Sequence, residues 1–190
     1  MQVLRAAGHR RMPWRNGGGV TTEIAVFPEA AGLDDFEWRL SMASVASDGP
    51  FSSFGGVDRT LAVLEGEGIV LSVEGQAEVR MTPVSPPLAF AADQPASARL
   101  IAGPITDLNA MTRRGLWTHR MERLVVRGSS TIADSGRLTI VFCASGSPTI
   151  SDGKETLTLA QQDAAIVDGV QVDAASGPAE LYIVRFDPII

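Results

Sequence analysis

Phe36-Glu37-Trp38-Arg39-Leu40-Ser41-Met42 alternates without a break: Phe36, Trp38, Leu40 and Met42 fall on one side, Glu37, Arg39 and Ser41 on the other. A period of two marks a β-strand, because successive side chains leave a pleated chain on opposite faces. Shorter runs of this kind recur at 22–27, 60–64, 69–73, 77–81, 98–102, 138–143, 155–159, 164–167 and 181–186, many of them bounded by Gly, Pro, Asp or Ser. No stretch carries a long amphipathic helical pattern, and only 118–126 is of mixed character. Many short strands between turn residues predict an all-β sandwich or barrel.

The strand grammar is repeated. Leu61-Ala62-Val63-Leu64-Glu65-Gly66-Glu67-Gly68 aligns with Thr139-Ile140-Val141-Phe142-Cys143-Ala144-Ser145-Gly146, and at the same offset Glu74-Gly75 meets Asp152-Gly153. Both copies read as apolar strand, small-residue turn, strand, acidic-Gly turn, strand, which suggests a duplicated jelly roll. The rhythm breaks at Arg113-Arg114-Gly115, so the connection between halves is placed at 111–130.

The totals narrow the function. The chain has 190 residues, 45% hydrophobic and 20% charged, with 16 basic and 22 acidic side chains and a net charge of −6. That is enough for one substantial core or two small fused ones. No basic cluster exceeds Arg113-Arg114, so no nucleic-acid partner is expected. No segment approaches the roughly 18 apolar residues of a spanning helix, and Met1-Gln2-Val3-Leu4-Arg5 lacks an export signal, so no membrane partner is expected either. The single cysteine, Cys143, lies in an apolar run and reads as a small buried hydrophobe. One cysteine permits no intrachain disulfide, and the cytoplasm is the expected compartment.

The densest polar stretch is Pro13-Trp14-Arg15-Asn16-Gly17-Gly18-Gly19-Val20-Thr21-Thr22-Glu23-Ile24. Three glycines allow close approach to the backbone, and an indole, a guanidinium, an amide and a carboxylate surround them. The same residues also fit a plain entry turn in which Trp14 plugs the core and Asn16 caps a bend. A phosphate loop is disfavoured, since no Lys-Ser or Lys-Thr pair and no helix start follows.

Six ordered motifs give the chain a resemblance. Pro13–Gly19, Phe36–Ser41, Asp48-Gly49-Pro50-Phe51-Ser52, Phe54-Gly55-Gly56-Val57-Asp58-Arg59, Leu64-Glu65-Gly66-Glu67-Gly68 and Thr106-Asp107-Leu108-Asn109-Ala110-Met111 occur in the order seen in HutD/Ves proteins. The resemblance implies a bicupin of the RmlC-like superfamily: two cupin jelly-roll barrels in one bacterial chain. The expected division is an N-terminal half at 1–111 with room for strands from the C-terminus, a connection at 112–130, and a degenerate C-terminal half at 131–190. It also implies a link to histidine utilisation, with N-formylglutamate as a ligand and restraint of pathway flux as a role.

Cupins often hold a metal on a His/Glu cluster, but His9 and His119 are the only histidines and neither lies in a His-x-His pair. The usual three-imidazole set cannot be built, so no metal and no cofactor are expected. The expected ligand site comprises Arg15, Asn16, Gly17, Gly18, Glu23, Arg39, Ser41, Arg59, Asp107 and Asn109. Arg39 suits a carboxylate as a bidentate donor, although a cross-strand ion pair with Glu23 or Glu37 accounts for it equally well. Asp58 reads as a turn former beside Arg59. Asp107 and Asn109, two residues apart, share a face if their segment is a strand, where they meet an amide or amine or else close a loop.

Two function classes follow. One is a metal-free binder of a small acidic metabolite such as an acyl-amino acid, the other a metal-independent isomerase or lyase with Glu23, Asp58 or Asp107 as the acid/base. The absence of any nucleophile–base pair leans the reading to the binder. Exposed barrel edges make a homodimer the expected assembly.

Overall fold

The computed structural model describes residues 1–14 and 17–189. In chain order its strands are β1 (Gln2–Leu4), β2 (Arg10–Pro13), β3 (Gly19–Phe27), β4 (Trp38–Val45), β5 (Gly49–Pro50), β6 (Val57–Glu65), β7 (Ile69–Val73), β8 (Val79–Met81) and β9 (Leu88–Ala91). There follow β10 (Ala96–Leu100), β11 (Ile105–Arg113), β12 (Trp117–Ile132), β13 (Leu138–Ser145), β14 (Thr149–Ser151), β15 (Thr156–Thr158), β16 (Ala164–Val167) and β17 (Val170–Pro188). Among the described residues the one regular helical element is a 3-10 turn at Ala6–Gly8. The all-β expectation holds, and the ambiguous segment 118–126 lies inside the long strand β12.

The strands gather into two compact units. The first comprises Met1–His9 with His119–Asp187, the second Arg10–Thr118 with the last residues of the chain. In the first, one sheet runs β1-β16-β13-β17-β14-β15, with β12 also paired to β17. Its core includes Val126, Val141, Cys143, Ile150, Leu159, Val172 and Leu181, all buried. Burial pushes the Cys143 thiol up to about 11, as expected of a cysteine that serves as packing.

In the second unit a six-stranded sheet, β2-β3-β4-β11-β6-β9, faces a four-stranded sheet, β5-β10-β7-β8. Ala43, Val45, Leu61, Val63, Phe90 and Ile105 from the larger sheet pack with Ile69, Leu71, Val73, Met81 and Ala98 from the smaller one. A fully buried Val, Leu, Ile, Phe or Met among them contributes about 1.5–3 kcal/mol.

The alternation in β4 has an outcome that periodicity does not decide. The Trp38, Leu40 and Met42 side is buried, and Trp38 stacks on Phe27 at 6.1 Å and meets Trp117 edge-on at 6.4 Å. The polar side is buried too. Arg39 and Ser41 share the intersheet face with Ala43 and Val45, and they are 4% and 3% exposed.

Candidate functional site: a polar row inside the second unit

Antiparallel register places the polar residues. Across the middle of the six-stranded sheet, Val26, Arg39, Met111, Arg59 and Phe90 stand side by side on β3, β4, β11, β6 and β9. The next row on the same face carries Glu23, Ser41, Asn109 and Leu61, and the row after it Thr21, Ala43, Asp107 and Val63. Arg39 and Arg59 therefore flank Met111, roughly 10 Å apart at the backbone, or two strand spacings. A register shift in β3 between Glu23 and Ala25 lets Glu23 face Ser41 while Val26 faces Arg39. Such bulges commonly re-aim a side chain.

The bonds within this face are few. Arg39 Nε donates to Glu23 Oε2 at 2.8 Å, with both side chains largely buried. Asn109 Nδ2 donates to Asp107 Oδ1 at 2.6 Å. Arg59 Nη2 reaches the Ser52 carbonyl at 3.5 Å and Met111 Sδ at 4.0 Å. The Arg59 guanidinium carbon lies 5.3 Å from the Phe51 ring, 5.5 Å from Phe54 and 5.8 Å from Phe90, a three-sided aromatic cage. The loop holding Phe51 and Phe54 is pinned by their N–H groups, which donate to Ala96 and Ala92 carbonyls at 2.9 Å each.

Among the described residues four buried polar atoms on this face have no hydrogen-bond partner: Arg39 Nη2, Arg59 Nε, Asp107 Oδ2 and Asn109 Oδ1. Two are donors and two are acceptors when Asp107 is ionised. Leaving such an atom unsatisfied in a protein interior costs about 1–3 kcal/mol, so four on neighbouring rows call for something that pairs with them. Desolvation lowers the Arg59 pKa to about 10, opposed by the Asp107 charge and aided by repulsion from Arg39, which leaves Arg59 cationic at neutral pH. Desolvation pushes the fully buried Asp107 carboxyl up to about 7, against the pull of Arg59 and the hydrogen bonds from the Asn109 side chain and the Ala43 backbone.

Asp163 in the first unit shows what a structural buried aspartate looks like. Its Oδ1 accepts from Ala6 N at 2.8 Å, and its Oδ2 from Arg5 Nη1 at 2.7 Å and Ala160 N at 3.0 Å. Burial pushes that carboxyl up, but the bonds from Ala6, Arg5 and Ala160 outweigh it and hold it below the usual range. Asp107 has the neutral Asn109 amide and the Ala43 backbone, and no cation bonded to it among the described residues.

The expected site residues thus divide. Glu23, Arg39, Ser41, Arg59, Asp107 and Asn109 are brought onto one interior face. Gly17 and Gly18 lie in the β2–β3 turn, where Gly17 N donates to the Trp14 carbonyl at 3.1 Å and the Gly18 carbonyl accepts from Ala46 N at 3.0 Å. Arg15 and Asn16 fall outside the described residues. Asp58 sits on the opposite face of β6 from Arg59, half-exposed and bonded at 2.8 Å to Arg114, which also pairs with Asp93. A depression of about 270 Å³ lined by Gly17, Gly19, Val20, Ser44, Val45, Ala46 and Pro104 lies beside the turn, and none of the interior polar side chains lines it. Phe51, Phe54, Phe90 and Met111 escaped the sequence reading. Two aromatics a few residues before Arg59, in a Gly- and Ser-rich loop, were the available signal.

No histidine or cysteine occurs between Arg10 and Thr118. Among the described residues no group of three or more His, Cys, Asp or Glu side chains is arranged to hold a metal ion. The polar groups on this face are guanidinium, amide, hydroxyl and carboxyl.

The HutD family profile matches residues 6–182. The chain is 35% identical over 170 residues to an uncharacterised 21.2 kDa protein from the region 3′ of hutC in Pseudomonas putida, covering 89% of this chain and 87% of the relative. It is 39% identical over 165 residues to protein Ves of Citrobacter koseri, covering 84% and 81% respectively. The structure of HutD from Pseudomonas fluorescens superposes with a TM-score of 0.79 at 31% identity, covering 99% of this chain and 98% of the other. A cupin 2 conserved barrel domain protein from Leptotrichia buccalis superposes with a TM-score of 0.60 at 10% identity, over 94% and 96%, which makes the fold cupin-like.

Proposed function

This chain belongs to the HutD family, and on that premise we propose that its second unit binds a small carboxylate-bearing metabolite of the acyl-amino acid type, N-formylglutamate being the example tested first. The observation that carries the reading is the set of four unpartnered buried atoms on neighbouring rows of one sheet. Arg39 Nη2 and Arg59 Nε suit a carboxylate, and Asn109 Oδ1 suits an amide N–H. The binding is independent of metal, which the donor set supports. Its biological sense on this reading is regulation of histidine utilisation in a bacterial cytoplasm; the names of the family and of its relatives support the link to histidine utilisation. The two all-β units descend, on this account, from a duplicated cupin jelly roll, and exposed edges pair two chains in a homodimer, which sedimentation analysis checks.

The test is a thermal-shift titration of metal-stripped protein with N-formylglutamate. A ligand at a hundredfold its Kd adds about 2.7 kcal/mol, which for a chain of this length raises the Tm by about 5–10 °C. No shift at millimolar concentration overturns the reading.

A second reading rests on Asp107. A carboxyl near 7 is poised to carry a proton, as an isomerase or lyase requires. It differs in its outcome: incubation with the ligand yields product, and Asp107→Asn abolishes turnover with a modest loss of binding.

A further inference from the structure

The charges facing the intersheet space can be counted by element. β3 contributes Glu23, β4 contributes Arg39, β6 contributes Arg59 and β11 contributes Asp107, while Ser41 and Asn109 are neutral. The four-stranded sheet opposite presents Ile69, Leu71, Val73, Met81 and Ala98, none of which titrates. Two cations therefore face two anions. The pairs are unequal: Glu23 is bonded directly to Arg39, whereas among the described residues the side-chain donor to Asp107 is the neutral Asn109.

One carboxylate of the ligand entering this space to meet Arg39 Nη2 and Arg59 Nε, any second carboxylate staying outside the row, leaves it with one negative charge in excess. Uncompensated charge in a low-dielectric interior is costly, and the cheapest remedy is to neutralise the anion held least well. Glu23 is held by contact with a cation. Asp107 is not, and its Oδ2 has no hydrogen-bond partner among the described residues.

We propose that the interior site takes up its carboxylate together with one proton, the carboxylate pairing with Arg39 and Arg59 and the proton bonding to Asp107 Oδ2. This rests on reading the row as a carboxylate site. The proton comes from solvent, no covalent bond to the ligand forms or breaks, and Asp107 becomes a donor in the bound state. Asp107 then sets specificity: neutral, it offers an O–H to a ligand carbonyl such as that of an N-acyl group, which an ionised carboxylate repels. The position of its titration, near neutrality, places the coupling in the physiological range.

The experiment is isothermal titration calorimetry of the full chain at pH 8 in buffers of different ionisation enthalpy, with N-formyl-L-glutamate and, separately, glutarate as probes. The expected result is uptake of close to one proton per ligand bound, with Kd weakening about tenfold per pH unit above neutrality. Asp107→Asn is expected to bind with no proton uptake and a flat pH profile. Zero uptake by the unaltered protein, or undiminished uptake by Asp107→Asn, overturns the coupling. Glutarate binding with proton uptake while N-formyl-L-glutamate fails keeps the coupling and removes the acyl-amino acid reading. Failure of both to bind overturns both.

Discussion

Arg39 and Asp107 carry opposite lessons about buried charge. Arg39 is anchored to Glu23 at 2.8 Å, so removing the guanidinium alone strands a carboxylate in the interior. Arg39→Ala is expected to cost about 3–5 kcal/mol in chemical denaturation and to lose ligand-induced stabilisation. Replacing both partners, as Arg39→Met with Glu23→Gln, is expected to recover most of the stability and none of the ligand response, which separates folding from binding. Asp107 is the reverse case, a carboxyl that burial pushes up to about 7 from its ordinary value of 3.8. The native state holds its proton over the range in which the unfolded chain releases it. Its contribution to stability is therefore full below about pH 4, falls as pH rises toward 7, and is flat above. The loss is on the order of 4 kcal/mol. Denaturation midpoints measured from pH 4 to 8 should show this decline in the unaltered protein and not in Asp107→Asn. That Arg39 and Ser41 share a face, as do Asp107 and Asn109, was legible because strand parity puts side chains two apart on one side of a strand. The Arg59 cage was not, since Phe51 and Phe54 arrive from a loop and Phe90 through cross-strand register, neither of which spacing encodes.

Among the elements, β4 shows where periodicity stops. Strict alternation identified a strand, but both faces are buried, so the pattern did not say which face lines the interior. That depended on β3 and β11 placing Glu23 and Asn109 beside Ser41. The glycine turn is a second instance. A Cβ on Gly19 would collide with the Ser44 carbonyl oxygen and stand 3.0 Å from the Trp14 ring, and the Trp14 indole N–H donates to Thr21 Oγ1 at 2.7 Å. Trp14 thus packs against the start of β3, in line with the Trp14 part of the plain reading; the Asn16 cap lies outside the described residues. Gly19→Ala is expected to destabilise by about 1–3 kcal/mol, the usual cost of forcing extra volume into a packed place. The near-UV circular dichroism of Trp14 should change with it. An unchanged Tm would show that β3 and β4 separate easily.

At the scale of the molecule, the all-β class followed from strand patterning and from six ordered motifs, and the cupin-like fold agrees with both. The discontinuous make-up of the first unit, Met1–His9 with His119–Asp187, was hidden because chain order gives no sign that β1 pairs with β16. With no histidine or cysteine between Arg10 and Thr118, ligand binding should be indifferent to metal. Dialysis against EDTA is expected to leave Kd unchanged within twofold, and a loss restored by one divalent ion would contradict the account. The most direct test of its central claim is a calorimetric titration of N-formyl-L-glutamate into the protein and into Arg59→Met. Saturable binding by the first, reduced at least a hundredfold in the second with folding intact, is the predicted result; equal binding by both, or by neither, would contradict the interior site.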